Sequence, residues 1–150
     1  MHFNWTQLIP GVEHHYTHVA TLVIVSTLII LMGFRARLAL GTGEASVVPA
    51  GKFSVRGIFE MITEYIGNLA TQIIGHPGRS FAPYFAAIFT YILFNNLVGL
   101  IPGMTPATEN FNTTFSFGFF SFFAYNAIGL KEGGVGYLKH FLGPIVWLAP

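Results

Sequence analysis

The chain has 150 residues, of which 53% are hydrophobic and only 9% are charged. Soluble domains usually carry about 25% charged residues, so this composition indicates a membrane protein. The net charge of +1 excludes a strongly electrostatic partner such as nucleic acid. The absence of cysteine excludes disulfides, thiolate metal sites and a cysteine nucleophile.

The first part of the chain combines a polar arm with an apolar run. Residues 1–17 contain no Lys or Arg, and no cleavage site follows the apolar run, so we do not expect a cleaved signal peptide. His14 and His18 lie one helical turn apart, but without a second ligand cluster they favour a polar collar over a metal site. Residues 19–34 are the first predicted transmembrane helix, about 24 Å long.

Residues 53–75 predict an amphipathic helix. Its apolar residues fall at helical spacing: Val55, Ile58, Phe59, Ile62, Ile66, Leu69 and Ile73. Polar residues recur every four positions on the other side: Arg56, Glu60, Glu64, Asn68 and Gln72. Arg56 and Glu60 are spaced to form an ion pair. A helix with this much polarity is predicted to lie along the membrane interface, or to pack against other helices, rather than to span lipid.

A second predicted transmembrane helix, residues 81–101, contains no charged residue and is long enough to cross a bilayer. Its two adjacent amides, Asn95 and Asn96, are unusual because an unpaired amide in hydrocarbon costs several kcal/mol. Such amides either hydrogen-bond helices together or line an aqueous ion path. The helix is expected to end at the turn signal Pro102-Gly103.

The third predicted transmembrane helix, residues 112–130, is rich in Phe, which we interpret as lipid and helix packing. A polar loop follows, and residues 144–150 begin another apolar run. The predicted fold class is therefore an all-α membrane protein, residues 1–150 forming a single membrane domain. It has three transmembrane helices, an interfacial amphipathic helix and the start of a further membrane helix.

Three motifs follow one another along residues 94–144. The first is a helix end, formed by Phe94, Asn96, Leu97, Gly99, Leu100 and Pro102. The second is the hairpin exit, formed by Pro106, Thr108, Asn112, Thr113 and Thr114. The third is a loop with Gly133, Tyr137, Lys139, His140, Phe141, Gly143 and Pro144. In this order, over roughly residues 50–150, the chain resembles subunit a of the rotary (F-type) ATP synthase, the proton-conducting stator of its membrane sector.

The resemblance implies partners and a rotary mechanism. Protons enter an outer half-channel, neutralise a carboxylate on a rotating ring of c subunits, and leave by an inner half-channel. The c-ring and the b subunits are the implied partners, and neither catalysis nor a cofactor is expected. In the family, an essential Arg in a later helix keeps the rotor carboxylate ionised as it passes. The sequence stops before that helix, so the chain is expected to be a fragment or a truncated product, unable to couple transport alone.

The distribution of charge predicts the orientation independently of the resemblance. All seven basic residues lie either between the first and second predicted spans or after the third. The positive-inside rule makes those segments cytoplasmic, and places the N-terminus and the hairpin turn in the periplasm of a bacterial inner membrane.

Five residues near the periplasmic face are candidates for the proton half-channel: Asn96, Asn112, Thr113, Asn95 and Glu109. Their amides, hydroxyl and carboxylate provide the polar groups that a water file needs. Glu109 either attracts protons or is simply solvated. Some relatives carry an acid at about the position of Gly99, where this chain has none.

Two alternatives come from other classes. A non-conducting membrane scaffold or assembly subunit would use the same polar residues to join helices. An intramembrane enzyme is disfavoured, because the chain contains no Asp, no HExxH pair and no GxSxG motif. Whether the carried ion is a proton or sodium depends on the rotor carboxylate of another chain.

Overall fold

The computed structural model describes residues 4–41, 48–50 and 54–139 of the chain. Every regular element in these ranges is helical, which confirms the all-helical class. The predicted run at residues 144–150 lies outside the described residues, as do His140, Phe141, Gly143 and Pro144 of the loop motif. The chain divides into two compact units, Met1–Glu109 and Asn110–Pro150.

The first unit contains two helices that are long and apolar enough to cross a membrane. The helix α1, Thr17–Leu38, continues the 3-10 turn His14–Tyr16, and together they form a segment of 25 residues. The helix α3, Ala82–Gly99, continues the 3-10 segment His76–Phe81 and forms a segment of 24 residues. Both segments exceed the roughly 20 residues that a bilayer core requires.

Between them lies the helix α2, Val55–Ile74. The Ser54 side chain caps its start by accepting a hydrogen bond from the Gly57 N–H, and Gly75 ends it with φ of +89°. The helix packs against both α1 and α3. The buried cluster at its contact with α3 consists of Ile62, Ile66 and Ala86.

The buried face of α2 differs from the apolar stripe that the sequence indicates. Ile62 and Ile66 are buried, whereas Val55, Leu69 and Ile73 of the same stripe are exposed. The buried face also includes Gly67, which lies beside Ala82, and Ala70, whose backbone lies beside Gly78. Such small residues bury because neighbouring segments can approach them closely.

One ion pair organises the junction between α1 and α2. Arg56 binds Glu60 and also donates to the backbone carbonyls of Ala39, at 3.1 Å, and Val48, at 2.7 Å. Glu60 also accepts a hydrogen bond from the Ala50 N–H at 2.9 Å. These bonds from Ala50 and Arg56 hold the pKa of Glu60 below its ordinary value. The polar side of α2 therefore fixes the chain that follows α1.

The second unit contains α4, Phe111–Gly133, and the short helix α5, Val135–Leu138. The Asn110 side chain caps α4 by accepting a hydrogen bond from the Asn112 N–H, and a turn at Gly134 ends it. A row of ring contacts at helical spacing joins Phe111, Phe115, Phe119 and Phe123. The helix is 23 residues long but is not among those apolar enough to count as a span, so the third transmembrane helix stays a prediction.

Candidate functional site

Asn95 lies near the end of α3 and is completely buried. Its Nδ2 donates to the Tyr91 carbonyl at 2.9 Å, and its Oδ1 accepts from the backbone N–H of Ala107 at 2.9 Å. Ala107 begins the 3-10 turn Ala107–Glu109 and is itself buried. The side chain of Asn95 therefore ties the chain beyond the hairpin turn back to α3, which is a structural task.

The turn itself folds closely over the end of α3. A Cβ atom built at Gly99 would lie 3.0 Å from Cγ of Pro106, closer than side chains normally approach. Gly103, with φ of +80°, reverses the chain between them. An acid at Gly99, as the family resemblance suggests for some relatives, would have to displace the Pro106 ring. The lack of a side chain at Gly99 therefore allows Pro106 to pack against the end of α3.

Asn96 is the next residue in sequence but occupies a different environment. It is exposed on α3, between the exposed side chains of Ile92 and Leu100 one turn on either side. Its side chain makes no hydrogen bond to any part of the chain that the structure describes. The amide donor and acceptor both remain available, on a face that is otherwise apolar. Such a group is able to hold water at this level of the helix.

The other candidates differ in exposure. Glu109 is exposed in the first unit, at the end of the 3-10 turn that Asn95 holds. Asn112 and Thr113 lie in the first turn of α4 in the second unit, where Asn112 is exposed and Thr113 is buried. The backbone N–H of Asn112 is engaged by the Asn110 cap. The Asn112 amide forms no side-chain hydrogen bond among the described residues.

The structure also identifies residues that the sequence-based candidates omit. Trp5, in the 3-10 helix Trp5–Leu8, donates from its backbone N–H to the Gly103 carbonyl at 2.9 Å. Its indole Nε1–H donates to the Pro102 carbonyl at 2.8 Å. The neighbouring Asn4 and Thr6 are buried. The Asn-x-Thr spacing, which is typical of a local side-chain turn, was the signal that could have identified this arm.

The histidines of the arm form no metal centre in the part of the chain that the structure covers. No group of three His, Cys, Asp or Glu residues able to hold a metal ion occurs within residues 4–41, 48–50 and 54–139. His14 instead contacts the side chain of Gln7, and His15 packs edge-to-face with Tyr16 and His18.

These features define the class of protein. It is a helical membrane protein with two segments able to span a bilayer, and a turn after the second segment is held by a buried amide. The chain belongs to the family described as ATP synthase A chain, which matches residues 17–150.

Curated relatives agree with this membership. The chain is 59% identical to ATP synthase subunit a of Bdellovibrio bacteriovorus, over 100% of its own length and 66% of that protein. It is 36% identical to ATP synthase subunit a of a Sulfurihydrogenibium species, covering 92% of this chain and 61% of the relative. It is 39% identical to ATP synthase subunit a 3 of Pelobacter propionicus, covering 85% and 52%.

The chain thus spans between about half and two thirds of the length of these relatives. No solved structure matches it.

Proposed function

We propose that this chain forms part of the outer half-channel through which protons enter the membrane sector of an ATP synthase. Its membership of the ATP synthase A chain family supports this role. The observation that carries the proposal is the contrast between two adjacent amides. Asn95 is buried and hydrogen-bonded, whereas Asn96 is exposed and makes no side-chain bond among the described residues.

An exposed amide within an apolar helix face is costly in hydrocarbon, because neither its donor nor its acceptor is satisfied there. Water satisfies both groups at once, and a file of water molecules can carry a proton that bare hydrocarbon excludes. Asn96 accordingly lines the water path, and Glu109 of the same unit is a further polar group of it. Asn112 and Thr113 are candidates for the path from the sequence alone. Asn95 holds the turn and contributes to the path only by shaping it.

Charge supports the orientation in which this path opens outward. Arg35 and Arg37 lie in the last turn of α1, and Arg56 and Arg79 lie between α1 and α3. The positive-inside rule places that segment in the cytoplasm, so the arm before α1 and the turn after α3 are periplasmic in a bacterial inner membrane. Labelling of a cysteine introduced at Thr105 by an impermeant maleimide tests this placement. Labelling only from the cytoplasmic side would overturn it.

In this role the chain is an ion-translocating component that works with a ring of c subunits and with b subunits, and it is not catalytic. Protons delivered by the path neutralise the carboxylates of the c-ring, while the ring's rotation carries them away. The chain's own residues provide entry, and no cofactor is needed for transfer between water, amides and carboxylates.

The test is proton flux through the complete ATP synthase. Asn96→Leu removes the exposed amide but retains an apolar helix face. We expect flux to fall by about twofold to tenfold with normal assembly, the factor that corresponds to one lost hydrogen bond to water in the path. Asn112→Leu is expected to act in the same direction. Leu97→Ala, which changes an exposed apolar neighbour, is the matched control.

A second candidate function is a non-conducting scaffold. The double hydrogen bonding of Asn95 favours it, because that amide joins two segments of the chain as helix glue would. Unchanged flux in both Asn96→Leu and Asn112→Leu, with normal assembly, would leave the scaffold as the better account.

A further inference from the structure

The N-terminal arm, residues 4–9, contacts the hairpin turn through Trp5, which lies 97 residues from Pro102 in sequence. We infer that this arm is a positioning element that holds the turn in the conformation required for proton entry. The inference rests on the proposed function, since it gives the arm a part in the same half-channel.

Trp5 donates to two consecutive carbonyls of the turn that follows α3. The helix ends at Gly99, and its last turn is closed by bonds from Leu100 to Leu97 and from Ile101 to Val98. The carbonyls of Pro102 and Gly103 lie beyond this ladder and accept from the two N–H groups of Trp5. The Pro102 contact is exposed, so the bond from Trp5 replaces one to water, and its net contribution favours one conformation of the turn.

Trp5 acts through these bonds more than through burial, because its side chain is 52% exposed. The residues on either side anchor it instead. Asn4 Oδ1 accepts hydrogen bonds from the Thr6 N–H at 2.9 Å and from Thr6 Oγ1 at 2.8 Å. Only 3% of Asn4 and 2% of Thr6 is exposed. These two buried bonds between Asn4 and Thr6 hold the backbone of the intervening Trp5.

The contact between Asn4 and Thr6 leaves the Asn4 side-chain N–H groups without a partner among the described residues. Asn4 Nδ2 is buried and makes no hydrogen bond with any described residue. It can donate to a water molecule without breaking the contact with Thr6, as buried waters commonly do for such groups. The arm thus adds a further donor at the end of the unit where the turn lies.

The turn is therefore held from two directions. On one side Trp5 binds the carbonyls of Pro102 and Gly103, and on the other Asn95 binds the N–H of Ala107. Residues 102–107 are fixed at both ends by contacts from different parts of the sequence. Loss of either contact loosens the turn, and with it Glu109, two residues beyond Ala107.

Trp5→Phe tests the arm, because it removes the indole donor and retains an aromatic ring and the backbone bond. Tyr16→Phe is the matched control, since Tyr16 is an exposed aromatic residue that lies outside the arm, in the 3-10 turn before α1. Both changes are made in the complete ATP synthase in membrane vesicles that also carry Thr105→Cys. Maleimide labelling of that cysteine reports opening of the turn, and proton flux is measured as a function of external pH.

We expect Trp5→Phe to speed labelling by about twofold to tenfold, the factor that corresponds to one net hydrogen bond. Flux should fall by about twofold or more, with its dependence on external pH altered, while Tyr16→Phe changes neither. An unchanged labelling rate, with normal amounts of the complex, would overturn the positioning role. Faster labelling with unchanged flux would uphold the contact but overturn its part in proton entry, and with it the half-channel role of the turn.

Discussion

Asn95→Ala is the most informative single change in the site. It removes two hydrogen bonds from a side chain with no exposed surface. The two bonds are not equivalent. Tyr91 lies within α3, so its carbonyl keeps the ordinary helical bond from four residues later. Ala107 has no such substitute, because its N–H begins the 3-10 turn and is buried.

The free energy lost in Asn95→Ala therefore comes mainly from the Ala107 N–H, which finds no other acceptor. Leaving a buried donor unsatisfied costs about 1–3 kcal/mol, which is more than the net value of an ordinary hydrogen bond. That free energy corresponds to about a 5- to 150-fold increase in the population of the opened turn. A loss of this size also lowers the steady-state amount of a membrane protein severalfold, because quality control removes the opened state.

Amide hydrogen exchange of Ala107, measured in the complete complex in detergent, is the direct assay. Asn95→Ala should accelerate exchange at Ala107 by about 5- to 150-fold. Asn96→Ala is the matched control, because an exposed side chain without a bond to the described residues should change stability by less than about 0.5 kcal/mol. Unaltered exchange in Asn95→Ala, or an equal effect in both variants, would refute the structural assignment of Asn95.

Two further changes test other contacts. Gly99→Ala should destabilise the protein by about 1–3 kcal/mol in thermal unfolding, because its Cβ would press on the Pro106 ring. Gly118→Ala, with open space around the added Cβ among the described residues, should be neutral or slightly stabilising; equal losses in both would contradict the packing argument. The lowered pKa of Glu60 means that its hold on Ala50 is complete above the ordinary value of 4.5 and is lost as pH falls through the lowered pKa. Protection of the Ala50 amide should follow this titration, and Glu60→Gln, which keeps an acceptor, should abolish the pH dependence; an unchanged profile in that variant would exclude Glu60 as its source.

Much of the architecture could be predicted from local pattern. Residues 19–34 and 81–101 stand out because an apolar run without charge has few stable environments other than a membrane. The cap at Ser54 and the ion pair between Arg56 and Glu60 depend on spacings of three and four residues, which sequence displays directly. The buried face of α2 was less predictable, because Gly67 and Ala70 are buried where neighbouring segments approach the helix closely, and not because they are strongly hydrophobic.

The sequence by itself determined that this protein is helical, apolar and a member of the ATP synthase A chain family, since those properties are written in composition, periodicity and motif. The sequence also shows Asn95 and Asn96 side by side, but it does not show which of the two is buried and which is exposed. Neighbouring residues on a helix point about 100° apart, so only the surrounding chain decides which is enclosed. The tertiary structure made that decision for Asn95 through Ala107, and brought Trp5 to the turn across 97 residues of sequence, a distance over which no local pattern carries information.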